Sequence, residues 1–296
     1  NSSIGVTWLF IEDFSGKTAY TFDRPKPQQL AFLQYTSGST DTPKAVMVSH
    51  ENIVANSLII QKCFQNTTES VSVCWLPSFH DMGLIDGIIQ PVFSGFQSIL
   101  MSPPHFVQRP ARWLHALTKY RATYSGGPNF AFDFCVDRIK DDELRGMDLS
   151  HLRCLYNGSE PIRSNTISRF TERFSSVGFD QTKMFTCYGL AEATLAVATS
   201  KLGQAPGIVQ TPSSALVSCG GIYVDTKIKI VNPEMATQCP EGEIGEIWVA
   251  GKSISPGYWN RPQQSAEAFV NLDGERYLRT GDLGFLTHDE LFVTGR

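Results

Sequence analysis

The stretch that decides the fold is VSVCWL at residues 71–76, a short apolar run typical of a buried β-strand. Two similar runs are SILM at residues 98–101 and LRCLY at residues 152–156. Helix-like segments separate these runs. Because strands that alternate with helices form parallel sheets with helices on both faces, we predict an α/β fold with layered parallel sheets.

Four helices are predicted between these strands from capping residues and from apolar residues at helical spacing. Ser49 is a good N-cap for the first helix, and Pro110 suits the first turn of the second. The other two helices cover the segments around residues 130–139 and 167–174. The apolar positions that mark the four helices are Ile53, Val54, Leu58, Trp113, Leu114, Leu117, Tyr120, Phe130, Phe134, Ile139, Ile167, Phe170 and Phe174.

The pattern changes after about residue 200. Short strand-like runs at residues 227–231, 246–250 and 291–294 are separated by turns that contain Gly and Pro, and no long helical period lies between them. This part of the chain therefore predicts a small antiparallel sheet or β-barrel-like subdomain attached to the α/β part.

Composition narrows the functional classes. The 296 residues include 25 Lys and Arg and 29 Asp and Glu, a net charge of −4 without a basic block, which argues against nucleic-acid binding. No apolar stretch approaches the roughly 20 residues of a membrane span, and the N-terminus lacks the pattern of a signal peptide. Seven cysteines without a C-x-x-C pair predict free thiols in a reducing cytoplasm rather than a zinc site.

The most informative polar segment is the loop YTSGSTDTPK at residues 35–44, which joins a predicted strand to the helix capped by Ser49. It contains five Ser or Thr hydroxyls, one Gly and Lys44. Hydroxyls, exposed amides and a lysine are the groups that bind a polyphosphate. The spacing is not that of a Walker A loop, and a plain polar surface loop is the alternative. The candidate phosphate ligands are Thr36, Ser37, Gly38, Ser39, Thr40 and Lys44.

Five further segments carry a family resemblance. They are WLPSFHDMG at 75–83, NGSEP at 157–161, CYGLAEAT at 187–194, YLRTGDLG at 277–284 and ELFVTGR at 290–296. With the loop, and in this order, they resemble the motifs of the adenylate-forming superfamily of acyl-CoA synthetases, luciferases and adenylation domains. The residues of these segments are most similar to those of the fatty acyl-AMP ligase branch.

That resemblance implies an activity, its cofactors and its partners. Members of the branch use ATP and Mg²⁺ to convert a fatty acid to an acyl-adenylate with release of pyrophosphate. They pass the acyl group to an acyl carrier protein, often in polyketide or nonribosomal peptide biosynthesis. Both reactants are anionic, so charge neutralisation and in-line positioning are expected to dominate catalysis.

The resemblance also assigns roles to residues. His80, Lys44 and Glu192 would be catalytic, with Glu192 as the Mg²⁺ ligand and His80 near the acyl carboxylate and the α-phosphate. Because His80 follows a predicted buried strand, it should lie at the carboxyl edge of the sheet, where ligands of α/β proteins bind. Residues 125–130 would line the acyl tunnel. The remaining nucleotide contacts would be Asn157, Gly158, Ser159, Tyr188, Gly189, Thr194, Asp282 and Arg296.

Two alternatives stay open from the sequence, and a third is not supported. Asp41 places a negative charge where phosphates should lie, which at 4 Å costs about 4 kcal/mol at an effective dielectric of 20 and favours a non-catalytic nucleotide- or acyl-binding module. The segment 196–217 is shorter than the insertion expected of the ligase branch, which leaves a fatty acyl-CoA synthetase possible. A metal phosphohydrolase built on His80 and Asp81 would need further His and Asp residues that the sequence does not offer.

The resemblance finally implies the extent of the units. Residues 1–68 would end a first α/β subdomain with the phosphate-binding loop, 69–200 would form a second α/β subdomain with the acyl and nucleotide site, and 201–296 would form the β-rich subdomain. The family continues into a C-terminal domain that carries a catalytic lysine and also has a segment before residue 1. We therefore expect this chain to be a core fragment that adenylates poorly by itself.

Overall fold

A computed structural model describes residues 23–36, 43–211, 215–223 and 225–296. The predicted residues Ser37, Gly38, Ser39 and Thr40, and Asp41 beside them, lie outside the described residues. The described strands are β1 (Leu30–Thr36), β2 (Lys44–Ser49), β3 (Val71–Cys74), β4 (Gln97–Leu100), β5 (Tyr124–Gly127), β6 (Cys154–Asn157), β7 (Met184–Gly189), β8 (Ala196–Thr199), β9 (Ile208–Gln210), β10 (Ala215–Val217), β11 (Gly221–Ile222), β12 (Thr226–Val231), β13 (Gly245–Gly251), β14 (Phe269–Leu272), β15 (Glu275–Thr287) and β16 (Glu290–Gly295).

The four predicted helices are all present, together with shorter ones. A π-helix at Met82–Ile89 was not predicted, because an apolar run of this composition gives no signal for the wider turn. The α-helices are α1 (His50–Phe64), α2 (Gln90–Ser94), α3 (Pro103–Gln108), α4 (Ala111–Lys119), α5 (Asn129–Arg138), α6 (Ser164–Phe174) and α7 (Pro262–Ala268).

The α/β prediction is confirmed by the sheet. Strands β4, β3, β5, β6 and β7 are parallel and adjacent in that order, and the three apolar runs that open the sequence argument form β3, β4 and β6. Strand β8 turns back antiparallel to β7, and the order continues through β11, β16, β15, β13 and β12. The antiparallel C-terminal strands therefore extend the parallel sheet, because the turn between β7 and β8 links the two parts.

Both faces of the inner parallel strands β3, β5, β6 and β7 are largely buried, as expected for a parallel sheet covered by helices, whereas the edge strand β4 is partly exposed. On β6, Leu155 packs into an apolar cluster with α4, α5 and α6, whereas Cys154 and Tyr156 pack into a second cluster with α1 and the π-helix. The alternation follows from the two-residue repeat of a β-strand. The carboxyl edge of the sheet stays open between the two helical layers.

The predicted N-cap of α1 also anchors a distant segment. The Ser49 hydroxyl accepts from the Asn52 amide at 3.2 Å, and the Asn52 side-chain oxygen accepts from the Ser49 amide at 3.0 Å, a reciprocal capping box. The Asn52 side-chain nitrogen then donates to the carbonyls of Lys252 and Ile254 at 2.7 and 3.0 Å. The start of α1 thus fixes the segment after β13 against the hairpin of β1 and β2.

Candidate active site

Three parallel strands deliver their following residues to one cavity at the carboxyl edge of the sheet. His80 lies beyond β3, Ser159 beyond β6, and Glu192 in a short 3₁₀ turn beyond β7. The cavity has a volume of about 680 Å³, within the range of small-molecule sites. The position expected for His80 is therefore confirmed. Of the predicted residues, the cavity is lined by Thr36, Lys44, His80, Ser159, Gly189, Glu192 and Arg296.

Lys44 and Glu192 meet through a tyrosine that the motifs did not single out. The Lys44 Nζ lies 4.9 Å from the centre of the Tyr258 ring, a cation–π contact, and the Tyr258 hydroxyl donates to Glu192 Oε1 at 2.8 Å. Burial, and then the negative charge of Glu192, raise the pKa of Tyr258, so its hydroxyl stays protonated and keeps donating. Tyr258 therefore holds a cation and a carboxylate on the same wall of the cavity.

The backbone around Tyr258 is held by pairing with β2. The Met47 amide donates to the Gly257 carbonyl at 2.9 Å, and the Trp259 amide donates to the Ala45 carbonyl at 2.8 Å. The Ser255 amide donates to the Glu192 carbonyl at 2.8 Å. In the sequence, this segment shows only a Pro-Gly turn followed by two aromatic residues, a pattern that predicts a loop and gives no partner for it.

His80 is paired with its neighbour Asp81. The His80 Nδ1 lies 2.7 Å from Asp81 Oδ1, and this hydrogen bond raises the pKa of His80 above its usual value. Asp81 also accepts from the Met82 amide at 2.7 Å, at the start of the π-helix. Because Asp81 holds Nδ1, the other ring nitrogen is the one available to a ligand, and 48% of the side chain is exposed.

Asp282 contacts two other residues that were predicted to bind the nucleotide, Tyr188 and Arg296. Its Oδ2 accepts from the Tyr188 hydroxyl at 2.7 Å, and its Oδ1 lies 3.4 Å from Arg296 Nε. Burial, and then the charge of Asp282, keep the pKa of Tyr188 well above its usual value, so the phenol remains a donor. The two motifs at residues 187–194 and 277–284 are thus physically coupled, which their sequence separation does not reveal.

A buried carboxylate supports the turn that carries Asp282. Glu246 Oε2 accepts from Arg279 Nε and Nη2, each at 3.1 Å, and from Trp248 Nε1 at 2.9 Å. Glu246 Oε1 accepts from the Gly281 amide at 3.1 Å. Glu246 and Arg279 both line the large cavity. Sequence reasoning missed them, since a Glu inside an alternating strand is usually a solvated surface residue.

Some predicted residues lie away from the large cavity. The Asn157 side chain is fully buried, donates to Asn129 Oδ1 at 3.2 Å and does not line the large cavity. Gly158 permits close packing, since a Cβ there would lie 2.5 Å from Cys187 Sγ. The Thr194 hydroxyl donates to the Ser253 carbonyl at 2.7 Å, and Thr194 does not line the large cavity.

Two glycines of the segment predicted to line the acyl tunnel, residues 125–130, pack closely against aromatic side chains, whereas Phe130 is 48% exposed. A Cβ on Gly126 would lie 2.3 Å from the Tyr156 ring, and one on Gly127 would lie 2.7 Å from Trp75. Neither glycine lines the large cavity or the smaller one described next. The two glycines therefore allow aromatic rings to pack on β5.

A second cavity, of about 50 Å³, opens beside the first and shares Asp81, Ser159 and Gly189 with it. Most of its surface is apolar, with Ile60, Phe64, Met82 and Leu195 among its walls, and Tyr188 also lies on it. One of its few polar lining residues is Asp86 on the π-helix, a carboxylic acid that is 5% exposed. Burial raises the pKa of Asp86 from its ordinary value of 3.8 to about 7, and the Tyr156 hydroxyl only partly offsets this.

Replacing Asp86 with asparagine should stabilise the protein above neutral pH. The unfolded chain ionises Asp86 near pH 3.8, whereas the folded protein ionises it near pH 7. The folded state therefore loses stability as the pH rises through this interval, by on the order of 4 kcal/mol for about three pKa units. Urea unfolding of both proteins should show a gap in the free energy of unfolding that widens from pH 5 to pH 8. A gap that does not change with pH would contradict the prediction.

A magnesium ion in the large cavity would have few ligands from the protein. Among the described residues there is no cluster of three or more His, Cys, Asp or Glu side chains that could hold a metal. Mg²⁺ bound to a nucleotide usually takes one or two carboxylates, with phosphate oxygens and water as its other ligands. Glu192, which faces the cavity on the same wall as Lys44, has the chemistry for that role.

Two further expectations concern the chain as a whole. All seven cysteines are free thiols within the described residues, and five of them are buried. None of the helices described here is long and apolar enough to cross a membrane.

The chain is similar over most of its length to known fatty-acid ligases. The chain is 39% identical to the medium-chain-fatty-acid–[acyl-carrier-protein] ligase JamA of Moorena producens, over 98% of this chain and 54% of JamA. It is 40% identical to FadD21 of Mycobacterium tuberculosis, whose name describes a fatty-acid–CoA ligase. That match covers 90% of this chain and 51% of FadD21. A crystal structure of the Legionella pneumophila fatty acyl-adenylate ligase with acyl adenylate and pyrophosphate matches with a TM-score of 0.89 and 42% identity. The match covers 94% of this chain and 52% of the Legionella chain.

The chain thus spans about half the length of the relatives that it matches. The family described as AMP-binding enzyme matches residues 7–259, which include the phosphate-loop segment, the three strand ends of the cavity and Tyr258. On this match, and on a fold that agrees with it, the chain belongs to the AMP-binding enzyme family.

Proposed function

We propose that the protein to which this chain belongs uses ATP and Mg²⁺ to convert a fatty acid to an acyl-adenylate, with release of pyrophosphate. The observation that carries the proposal is the placement of Lys44, His80 and Glu192 around one cavity at the carboxyl edge of the sheet. An acyl-adenylate and pyrophosphate are the ligands named for the Legionella structure, which has the same fold.

Each residue of the site has a proposed role that follows from its charge and its hydrogen-bonding groups. Lys44 supplies the cation that offsets the repulsion between a triphosphate and an incoming carboxylate, and Thr36 offers a hydroxyl nearby. His80, held by Asp81, presents its free ring nitrogen to the reacting carboxylate and the α-phosphate. Asp282 has two oxygens that can accept from ribose hydroxyls, and Arg296 beside it adds a cation. A magnesium ion held by Glu192 would neutralise phosphate charge.

The second cavity is proposed as the entry of the acyl chain. Its walls are mostly apolar, and it meets the large cavity at Asp81, Ser159 and Gly189, beside His80. A fatty acid could therefore place its carboxylate in the large cavity and the first part of its chain in the apolar one. Residues 125–130 stay the other proposed lining of the acyl site.

An acyl carrier protein is proposed as the acceptor, which agrees with the name of the JamA relative. Biosynthesis of a polyketide or nonribosomal peptide in the cytoplasm is the proposed setting, and free buried thiols fit a reducing compartment. We also keep the division of the chain at residues 1–68, 69–200 and 201–296 as a proposal about its subdomains.

The experiment uses the full-length protein with ATP, Mg²⁺ and a fatty acid, and compares holo acyl carrier protein with coenzyme A. We expect acyl-adenylate, pyrophosphate and acylated carrier protein. Efficient formation of acyl-CoA would favour the synthetase that the name of FadD21 suggests. Failure to bind ATP with or without Mg²⁺ would favour a non-catalytic module.

A further inference from the structure

The second cavity contains one group that an unsubstituted fatty acid does not need. Asp86 is 95% buried, since 5% of it is exposed, and it lies on the wall of a cavity that is otherwise mostly apolar. Its Oδ1 has no hydrogen-bond partner among the described residues. A buried carboxyl oxygen without a partner costs free energy, so a residue of this kind indicates a missing ligand group.

The surroundings of Asp86 restrict what that group can be. Of the described residues that line the cavity, none is basic, and the contact that reaches the carboxyl is the Tyr156 hydroxyl. Tyr156 is itself buried, so it does not bring water to the site. Above about pH 7 Asp86 is a carboxylate, and its free oxygen can then only accept, so the group that pairs with it must donate a hydrogen bond into a small apolar space.

We propose that the acyl substrate carries a hydroxyl group, and that this hydroxyl donates to Asp86 Oδ1 in the second cavity. The inference rests on the proposed function, because it assumes that the acyl chain enters this cavity. It goes further by naming a hydroxy fatty acid as the substrate class and Asp86 as the residue that selects it.

A hydroxyl fits better than a charged amine for an energetic reason. An ammonium group would have to leave water for a cavity of about 50 Å³ with apolar walls, and a buried ion pair often fails to recover that cost. A neutral hydroxyl loses much less hydration, and the space admits a few water-sized groups. A plain methylene would bury the free oxygen without a partner, which costs affinity.

The position of Asp86 also places the hydroxyl along the chain. Asp86 lies five residues after Asp81, which stands where the two cavities meet. At a rise of at most about 1.5 Å per residue, the two positions are within roughly 7.5 Å along the helix. The hydroxyl should therefore be on one of the first several carbons after the carboxylate, rather than at the far end of the chain.

The test compares decanoic acid with 3-hydroxydecanoic, 5-hydroxydecanoic and 3-aminodecanoic acids in the full-length protein, by acyl-adenylate formation and by calorimetric binding of the free acids. We expect at least one hydroxy acid to be favoured about 10-fold or more in kcat/KM, mainly through KM, as one added hydrogen bond to a carboxylate allows. Asp86→Leu should abolish the preference, so that decanoic and hydroxydecanoic acids give equal kcat/KM, whereas Asp86→Asn, which retains a carbonyl acceptor, should keep part of the preference. Asp142→Asn removes a carboxylate at an exposed position and should leave the preference unchanged.

Equal use of decanoic and hydroxydecanoic acids by the unsubstituted protein would overturn the inference while leaving the proposed function intact. A stronger preference for 3-aminodecanoic acid than for the hydroxy acids would also overturn the inference. So would a preference for the hydroxy acids that Asp86→Leu leaves unchanged. If no acid is adenylated, the proposed function fails, and binding still decides the inference: tighter binding of a hydroxy acid that is lost in Asp86→Leu supports it, and equal binding contradicts it.

Discussion

Replacing Glu192 with glutamine is expected to lower the rate of acyl-adenylate formation by about 100- to 1000-fold, the usual cost of removing one charge-stabilising group from a transition state. Glutamine keeps the shape and can still accept from the Tyr258 hydroxyl, which lies 2.8 Å from Glu192 Oε1. It removes the carboxylate that would hold Mg²⁺ against the phosphates. The loss should appear in kcat and in a higher Mg²⁺ concentration for half-maximal rate, measured on the full-length protein.

Tyr258→Phe is the matched control for Glu192. It removes the hydrogen bond to the carboxylate and keeps both the carboxylate and the aromatic ring under Lys44. Its rate should fall by about tenfold or less, in line with the loss of one ordinary hydrogen bond. If Glu192→Gln retained its Mg²⁺ dependence and lost no more rate than Tyr258→Phe, the metal-binding role of Glu192 would be wrong.

Replacing Glu246 with alanine is expected to lower the free energy of unfolding by about 3 kcal/mol, the lower end of the cost of breaking a buried ion pair. The substitution leaves the Arg279 guanidinium, the Trp248 indole nitrogen and the Gly281 amide without their acceptor. The lower end applies because 39% of the Arg279 side chain is exposed and can regain water. Since Gly281 precedes Asp282, binding of ATP should also weaken.

Glu275→Ala provides the comparison on the surface. Glu275 pairs with Lys227 at 2.8 Å, but the lysine side chain is 65% exposed, and such pairs contribute less than about 1 kcal/mol. Urea unfolding should therefore separate the two alanine variants clearly. Similar losses for both variants, or unchanged ATP binding in Glu246→Ala, would show that the Glu246 network does not support the turn.

Much of the fold could be predicted because it depends on local patterns. The apolar run at residues 71–76 contains β3, and Ser49 is the N-cap of α1, as predicted. The π-helix could not be predicted, because packing rather than composition selects it. Close backbone contact at Gly83, where a Cβ would lie 2.0 Å from the Pro77 carbonyl oxygen, is one such packing constraint.

The site was predicted in part for the same reason. Residues that directly follow parallel strands, such as His80 and Glu192, reach the cavity because all parallel strands end at one edge. Thr194 and Asn157 have motif positions too, but tertiary contacts occupy them: one hydroxyl donates to Ser253 and one amide to Asn129. Tyr258 depends on pairing between segments more than 200 residues apart, which a sequence pattern does not encode.

Short-range patterns in the sequence predicted the alternation of strands and helices in the α/β part, the edge of the sheet where His80 and Glu192 lie, and several of the charged groups that line the cavity. These depend on short-range periodicity and on the directional rule of parallel strands. Only the tertiary structure decided which side chains pair: Tyr258 with Lys44 and Glu192, Tyr188 with Asp282, and Glu246 with Arg279. It also placed the carboxyl of Asp86 in an apolar cavity, because burial and the absence of a partner are properties of the packed chain.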